Sequence, residues 1–453
     1  LKGNETFRGG DPTWANACVG DNGQPDYFDY AKGYSLAANL LIEVVLGGEG
    51  IKYSVDQFVY PVCFNMRHSV ELRLKGVCNH FIELSSHRGR LEEFDLKGSH
   101  DIGRIWRFIK NSSAKIDSRF KLFIELLDRR VTDIAEIDST GQTFRYPDDN
   151  ENVKHLVDVS LINLKVLSRR FAEIESLLDC LEYFCDDLIK EYSYGTYTSK
   201  LSRDQLMFIG GSLPPKDKWG SEEFQVLIKD LKARYNLSNN DFNRAVCKIK
   251  SHYGAAPALE PPKLFGLDFE GLSLFFDAWF QFNDKKYLND KASQELADLE
   301  SDNSIENFFE EIEARARIRE EIWANMKDFV NVDWLSSLKA LYDCHNSRYS
   351  EEYIRSFDII RRTLNNKCAK GEGELADCFF DFLWKPRAIV YILKGLYLVG
   401  HKECAEKLIS HYGLEENFGW IEDARSGKLF LPPFRSTLRS LMQVIHDIYV
   451  GKE

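Results

Sequence analysis

A mainly α-helical protein built from more than one domain is what this sequence predicts, on three observations. Apolar residues recur at three- and four-residue steps along most of the chain, the spacing that lines one face of a helix. Only 12 of the 453 residues are proline, so long helices are seldom interrupted. The length itself exceeds one ordinary core and implies roughly two to four domains. A hydrophobic fraction of 44%, with 13% aromatic residues, can fill several cores and excludes a largely disordered chain.

Residues 1–26 are rich in Gly, Asn and Asp and read as an N-terminal arm. Tyr30–Leu46 follows with helical periodicity and stops at Gly47-Gly48, a helix C-terminal signal. Asp56 is the candidate cap of the next helix, which runs to about Leu84 with Pro61 near its start. In it Met66, Val70, Leu74, Val77 and Phe81 form one apolar stripe. Ser99 or His100 opens a third helix through Ile109, and a fourth spans about Ile116–Ile137. After the turn 138–152 a long helix is expected from Val153 towards Lys190, which makes residues 27–190 a five-helix bundle.

A second region, 191–260, opens on a turn-rich stretch (192–220) and carries helices at Glu222–Tyr235 and Asn240–His252. Residues 254–266, with their prolines and glycines, read as a linker. The third region, 261–453, is helical again from Leu272. Its helices are expected at Ile305–Val330, Trp334–Cys344, Tyr353–Leu364, Leu375–Leu383, Pro386–Val399, Ala405–Tyr412 and Thr437–Tyr449. No clean repeat period relates them.

The formal charge of −12 argues against a surface that coats nucleic acid over its whole extent. The charge is uneven, however. Residues 67–130 carry 14 Lys/Arg against 9 Asp/Glu, and residues 290–328 carry 5 against 12, which leaves room for a local basic patch. The ten cysteines include no Cys-x-x-Cys pair, so they read as reduced thiols and point to a cytoplasmic compartment. No apolar run approaches the ~20 residues that span a bilayer, and the first residues lack a signal-peptide pattern, so no membrane association is expected.

Several common chemistries have no motif here. There is no G-x-x-x-x-G-K-[ST] and no His-Glu-x-x-His, and no metal or other cofactor is expected. Gly47–Gly50 ends a helix instead of opening one, so it does not cradle a phosphate. Cys344-His345 reads as core packing and not as a zinc site. Asp148, Glu151 and Lys154 lie in a turn, away from the paired strands that a metal nuclease uses. Phe208–Pro215 reads as a structural turn.

The informative stretch is 64–80, FNMRHSVELRLKGVCNH. On a helix Arg67, Glu71 and Lys75 fall four residues apart and form a polar stripe beside the apolar one, able to line a groove. Arg67-His68-x-x-Glu71-Leu72-x-Leu74-Lys75, then Gly98-x-His100-Asp101-Ile102-x-x-Ile105-Trp106, then Phe144-Arg145-Tyr146-Pro147-Asp148, together resemble the HEPN superfamily of helical bundles over residues 27–190. That resemblance implies an HEPN-like bundle followed by further all-helical domains, of the type associated with prokaryotic defence and toxin systems.

The resemblance further implies a protein that binds or cleaves RNA, as a metal-independent endoribonuclease acting against phage, and that pairs as a homodimer. The alternative is a non-catalytic helical scaffold or regulator that binds a protein partner. In family nucleases four to six residues separate an Arg from a His. Histidine exchanges a proton near neutral pH, and arginine braces a phosphate bidentately. Arg73 and His80 have that separation and are the expected catalytic pair, with Arg67, Glu71, Lys75 and Arg145 lining the groove. Arg439 and His446 have the same separation outside the resembling region. The family's usual place for the motif, the turn before the long helix, holds Arg145 with no histidine until His155.

Overall fold

The computed structural model describes residues 4–48, 51–87, 93–148, 151–283, 285–288, 317–369, 371, 373–430, 443 and 446. Among them every regular element is helical, and no strand occurs. One compact unit holds the described residues up to Ser193, and a second holds Tyr194–Phe430.

Up to Ser193, the described residues of the first unit form five α-helices. α1 (Tyr27–Gly47) starts at a reciprocal cap, in which the Asp26 carboxylate accepts the Phe28 and Asp29 amides and Asp29 accepts the Asp26 amide. α2 (Val55–His87) is 33 residues, about 50 Å at 1.5 Å per residue. Its start precedes Pro61, which lies inside the helix and not at its first turn. α2 is the central element, packed on α1, on α3 (Ile102–Ile116) and on α5 (Leu164–Ser193). α4 (Lys121–Ile137) closes the bundle against α3 and α5.

The stripe Met66, Val70, Leu74, Val77 and Phe81 is buried throughout. Phe81 meets Phe120, which in turn meets Phe184 of α5 with ring centroids 5.1 Å apart. Beneath them Arg119 binds the buried carboxylates of Asp117 and Glu191, and Tyr192 donates to Asp117.

Two boundaries differ from the periodic reading. The long helix begins at Leu164 and not at Val153, because Asn152 and Leu156 adopt positive φ and Asn163 caps the amides of Lys165 and Val166. The fourth helix begins at Lys121, since Asp117 turns the chain through a short 3₁₀ segment at Ser118–Phe120.

Among its described residues the second unit has two apolar clusters. The smaller is formed by α6 (Arg203–Ser212), α7 (Glu222–Tyr235) and α8 (Asn239–Lys250). α6 arises inside the stretch read as turns. Ser202 and Gln205 cap it reciprocally, and Leu206 and Ile209 bury its inner face.

The larger cluster gathers α9 (Phe269–Phe282), the helical segment 317–326, α10 (Val332–Asp343), α11 (Glu351–Cys368), α12 (Glu374–Leu383), α13 (Ala388–Leu398), α14 (Lys402–Tyr412) and α15 (Ile421–Arg425). α13 is apolar nearly all round and buried accordingly. Most of the expected helix Thr437–Tyr449, and 305–316 of the expected acidic helix, lie outside the described residues. Residues 254–266 carry no helix.

Candidate functional site

In the first unit the polar stripe of α2 turns inward. Arg67, Glu71 and Lys75 are each about 95% buried or more, so every charge among them needs a partner. Glu71 collects those charges. Arg67 donates to its Oε2, and the Lys75 ammonium lies 2.9 Å from Oε1. His100, at the entry to α3, places Nδ1 3.0 Å from the same Oε1. Burial alone would raise the Glu71 pKa, but hydrogen bonding and charge from His68, Lys75, Arg67 and His100 outweigh it and hold the carboxyl well below its usual range. His68 Nδ1 lies 3.8 Å from Oε2, beyond ordinary hydrogen-bond distance.

The rest of the Arg67 guanidinium is a clasp. It donates to the carbonyls of His100 (2.5 Å), Ser139 (2.7 Å) and Asp138 (3.2 Å). The 138–141 turn is thereby fixed over α2, and Ser139 O in turn accepts the Ile102 amide. Gly141 completes the turn at φ +81°, with any Cβ only 3.1 Å from Arg67 Nη1. Asp138 is buried and accepts the amides of Gly141 and Thr143. Asp101 then caps α3 by accepting the Arg104 amide.

This scaffold has a chemical consequence for His100. An ionised carboxylate can only accept, so Nδ1 of His100 carries the hydrogen and Nε2 of the neutral ring keeps a lone pair. The ring is 63% exposed while its carboxylate partner is 2% exposed. A buried anion orienting an accessible imidazole is an arrangement suited to proton transfer.

Aromatic groups continue the surface. Phe64 stacks parallel to His68 at 5.7 Å, and Tyr34 meets the same imidazole edge-on at 4.5 Å. The exposed Arg145 guanidinium lies 5.8 Å from the Phe64 ring centre and 5.3 Å from that of Tyr146, which is half exposed.

Arg73 and His80 lie elsewhere, on the seam between α2 and α5. Arg73 is buried and donates to Ser35, Ser69 and, at 3.1 Å, Asp179. His80 packs on Phe28 with Nε2 3.6 Å from Asp186. Burial pushes its pKa down, against the charges of Asp186, Glu83 and Asp26. The pair therefore bridges helices, and each residue has its own carboxylate, the two lying about two turns apart on α5. Arg439 lies outside the described residues.

Cys344 donates to Leu341 O, and His345 stacks on Tyr391 at 3.6 Å. Among the described residues no group of three His, Cys, Asp or Glu is placed to hold a metal ion. None of their helices is long and apolar enough to cross a membrane. Arg/His spacing along the chain does not single out His68 and His100. They are far apart in sequence and meet only across Glu71.

Comparison of the chain with protein-family models, with curated proteins and with solved structures finds no match.

Proposed function

We propose that the first unit is an HEPN-like bundle that acts on RNA, as a metal-independent endoribonuclease, with His100 as its proton-transfer residue and Arg145 as its phosphate contact. The observation that carries this reading is the hydrogen bond from exposed His100 to the buried, ionised Glu71. RNA brings its own nucleophile. His100 Nε2 takes the proton of a 2′-hydroxyl, the 2′-oxygen attacks the adjacent phosphorus, and the 5′-oxygen leaves with the proton that the imidazolium returns. Arg145 meets the charge that builds on the phosphoryl oxygens. Tyr146, Tyr34 and Phe64 supply ring faces of the kind on which unpaired bases stack. Glu71, Arg67 and Lys75 are positioning residues in this scheme.

The test is cleavage of total RNA in EDTA by wild type, His100→Gln, Arg145→Ala, Arg73→Ala and His80→Ala, each scored per folded molecule. Wild type should leave 2′,3′-cyclic phosphate ends. His100→Gln should lose about a hundredfold or more in rate, and Arg145→Ala a similar factor. Arg73→Ala and His80→Ala should lower stability and leave the rate of the folded fraction within a few-fold. Equal rates for wild type and His100→Gln would overturn the assignment. RNA binding without cutting would replace it with the non-catalytic reading.

A further inference from the structure

The second unit contains a cleft of about 850 Å³, within the size range of small-molecule sites. It is bounded by the C-terminal end of α8, the 254–263 segment and the start of α14. Seven of its lining residues are Lys or Arg and two are Glu, whereas the chain as a whole carries −12. Like charges are gathered here against the average, which costs repulsion unless an anion sits among them.

Arg203 is spoken for, since its guanidinium binds the buried Glu351 carboxylate at 2.6 and 2.9 Å. Lys216, Lys250, Lys263, Lys402 and Lys407 differ. They are exposed, and among the described residues none has a carboxylate within ion-pair distance. Lys402 opens α14, whose first turn has no side-chain cap, so the amides of that turn add to the positive field.

An independent observation lies at the cleft's inner wall. The His252 side chain is only 9% exposed, and its Nε2 is 2.8 Å from Glu351 Oε1. Both ring nitrogens are buried without a well-formed hydrogen bond among the described residues, and Nδ1 has not even a nearby carboxylate. A buried imidazole nitrogen with nothing to bind is rare in a folded protein and calls for a partner. With the Nε2 hydrogen facing the carboxylate, Nδ1 keeps a lone pair that can accept from a ligand hydroxyl or amino group. Apolar and aromatic groups, among them Tyr397, Phe269 and Leu259, complete the lining and suit a ligand with an uncharged ring.

We infer that this cleft binds a nucleotide carrying two or more phosphates, with the five lysines as its anion contacts and His252 Nδ1 as an acceptor for a sugar hydroxyl or base amino group. The site is separate from the RNA-acting surface proposed for the first unit and does not depend on that reading.

Calorimetric titration of the full chain with ATP, ADP, inorganic pyrophosphate and adenosine tests the inference. ATP and ADP should bind in the micromolar range, pyrophosphate more weakly, and adenosine not measurably. The double variant Lys263→Ala/Lys402→Ala exchanges exposed side chains, and it should weaken ATP binding at least tenfold. His252→Gln should weaken it to a similar degree, and Lys229→Ala, an exposed lysine outside the cleft, should leave it unchanged. No heat with any phosphate ligand at millimolar concentration would overturn the proposal. So would adenosine binding as tightly as ATP, or an unchanged affinity in the double lysine variant. A ten-nucleotide RNA with a 5′-hydroxyl that displaces ATP at equal or lower concentration would assign the cleft to a nucleic-acid strand instead.

Discussion

Replacing Arg67 by Met probes the clasp beneath the candidate site, because the aliphatic stem is kept and only the guanidinium is lost. Arg67 is 3% exposed, so solvent screening does little to discount its interactions. Its removal leaves the carbonyls of His100, Asp138 and Ser139 without this donor, and it takes one of two cationic partners from buried Glu71. Hydrogen bonds to a charged group contribute about 1.5–3 kcal/mol each. Three of them set a ceiling near 5–9 kcal/mol, which relaxation and entering water reduce. Breaking a buried pair by deleting one partner costs about 3–5 kcal/mol, and that is the expected loss.

Hydrogen exchange by mass spectrometry on α2 peptides reads this in the first unit alone. At 1.4 kcal/mol per factor of ten, protection should fall by roughly 10²- to 10⁴-fold. Arg129→Ala is the contrast. Arg129 also makes two ion pairs, but it is 74% exposed, and its loss should cost no more than about 0.5 kcal/mol. Equal protection in the two variants, or a loss below tenfold in Arg67→Met, would refute the claim that the guanidinium holds the 138–141 turn.

Two further outcomes follow from the same structure. The folded-state pKa of Glu71 is depressed, so its contribution to stability is present above the unfolded value of about 4.3 and is lost as pH falls through the folded one. Thermal unfolding of wild type and Glu71→Gln should therefore differ most near pH 7, and the gap should begin to narrow only as pH falls below about 4; a gap that stays constant with pH would contradict the assignment of Glu71 as an ionised group. In the second unit a Cβ on Gly395 of α13 would lie 2.2 Å from the Leu341 carbonyl oxygen of α10, so the helices must move apart. Gly395→Ala should cost about 2–3 kcal/mol and lower Tm by roughly 4–12 °C. Gly33→Ala, with open space on exposed α1, should instead gain about 0.5–1 kcal/mol, and equal Tm shifts would refute the packing argument.

What the sequence determined by itself is the helical class and much of the core. The three-four spacing of Met66, Val70, Leu74, Val77 and Phe81 forces one face of α2 inward whatever its neighbours are, because local periodicity and burial are coupled through the helix geometry. Capping residues were legible for the same local reason, as at Ser238, whose hydroxyl accepts the Asp241 amide. The start of α5 was not, because apolar Val153, Val157 and Leu161 imitate helical spacing while the backbone turns at Asn152 and Leu156.

The candidate site was legible only as residue types. Arg67, Glu71 and Lys75 announced a polar stripe, and on a helix such a stripe commonly faces water. Only tertiary packing buries it, by bringing the carbonyls of residues 100, 138 and 139 over Arg67 and the imidazole of His100 onto Glu71. The Arg73–His80 spacing is a local property that a sequence displays openly. Which partner each residue takes is decided by α5, more than a hundred positions away, where Asp179 and Asp186 receive them. Spacing along one helix tells which side chains share a face; what that face meets depends on contacts between distant segments, and those are set by how the whole bundle closes.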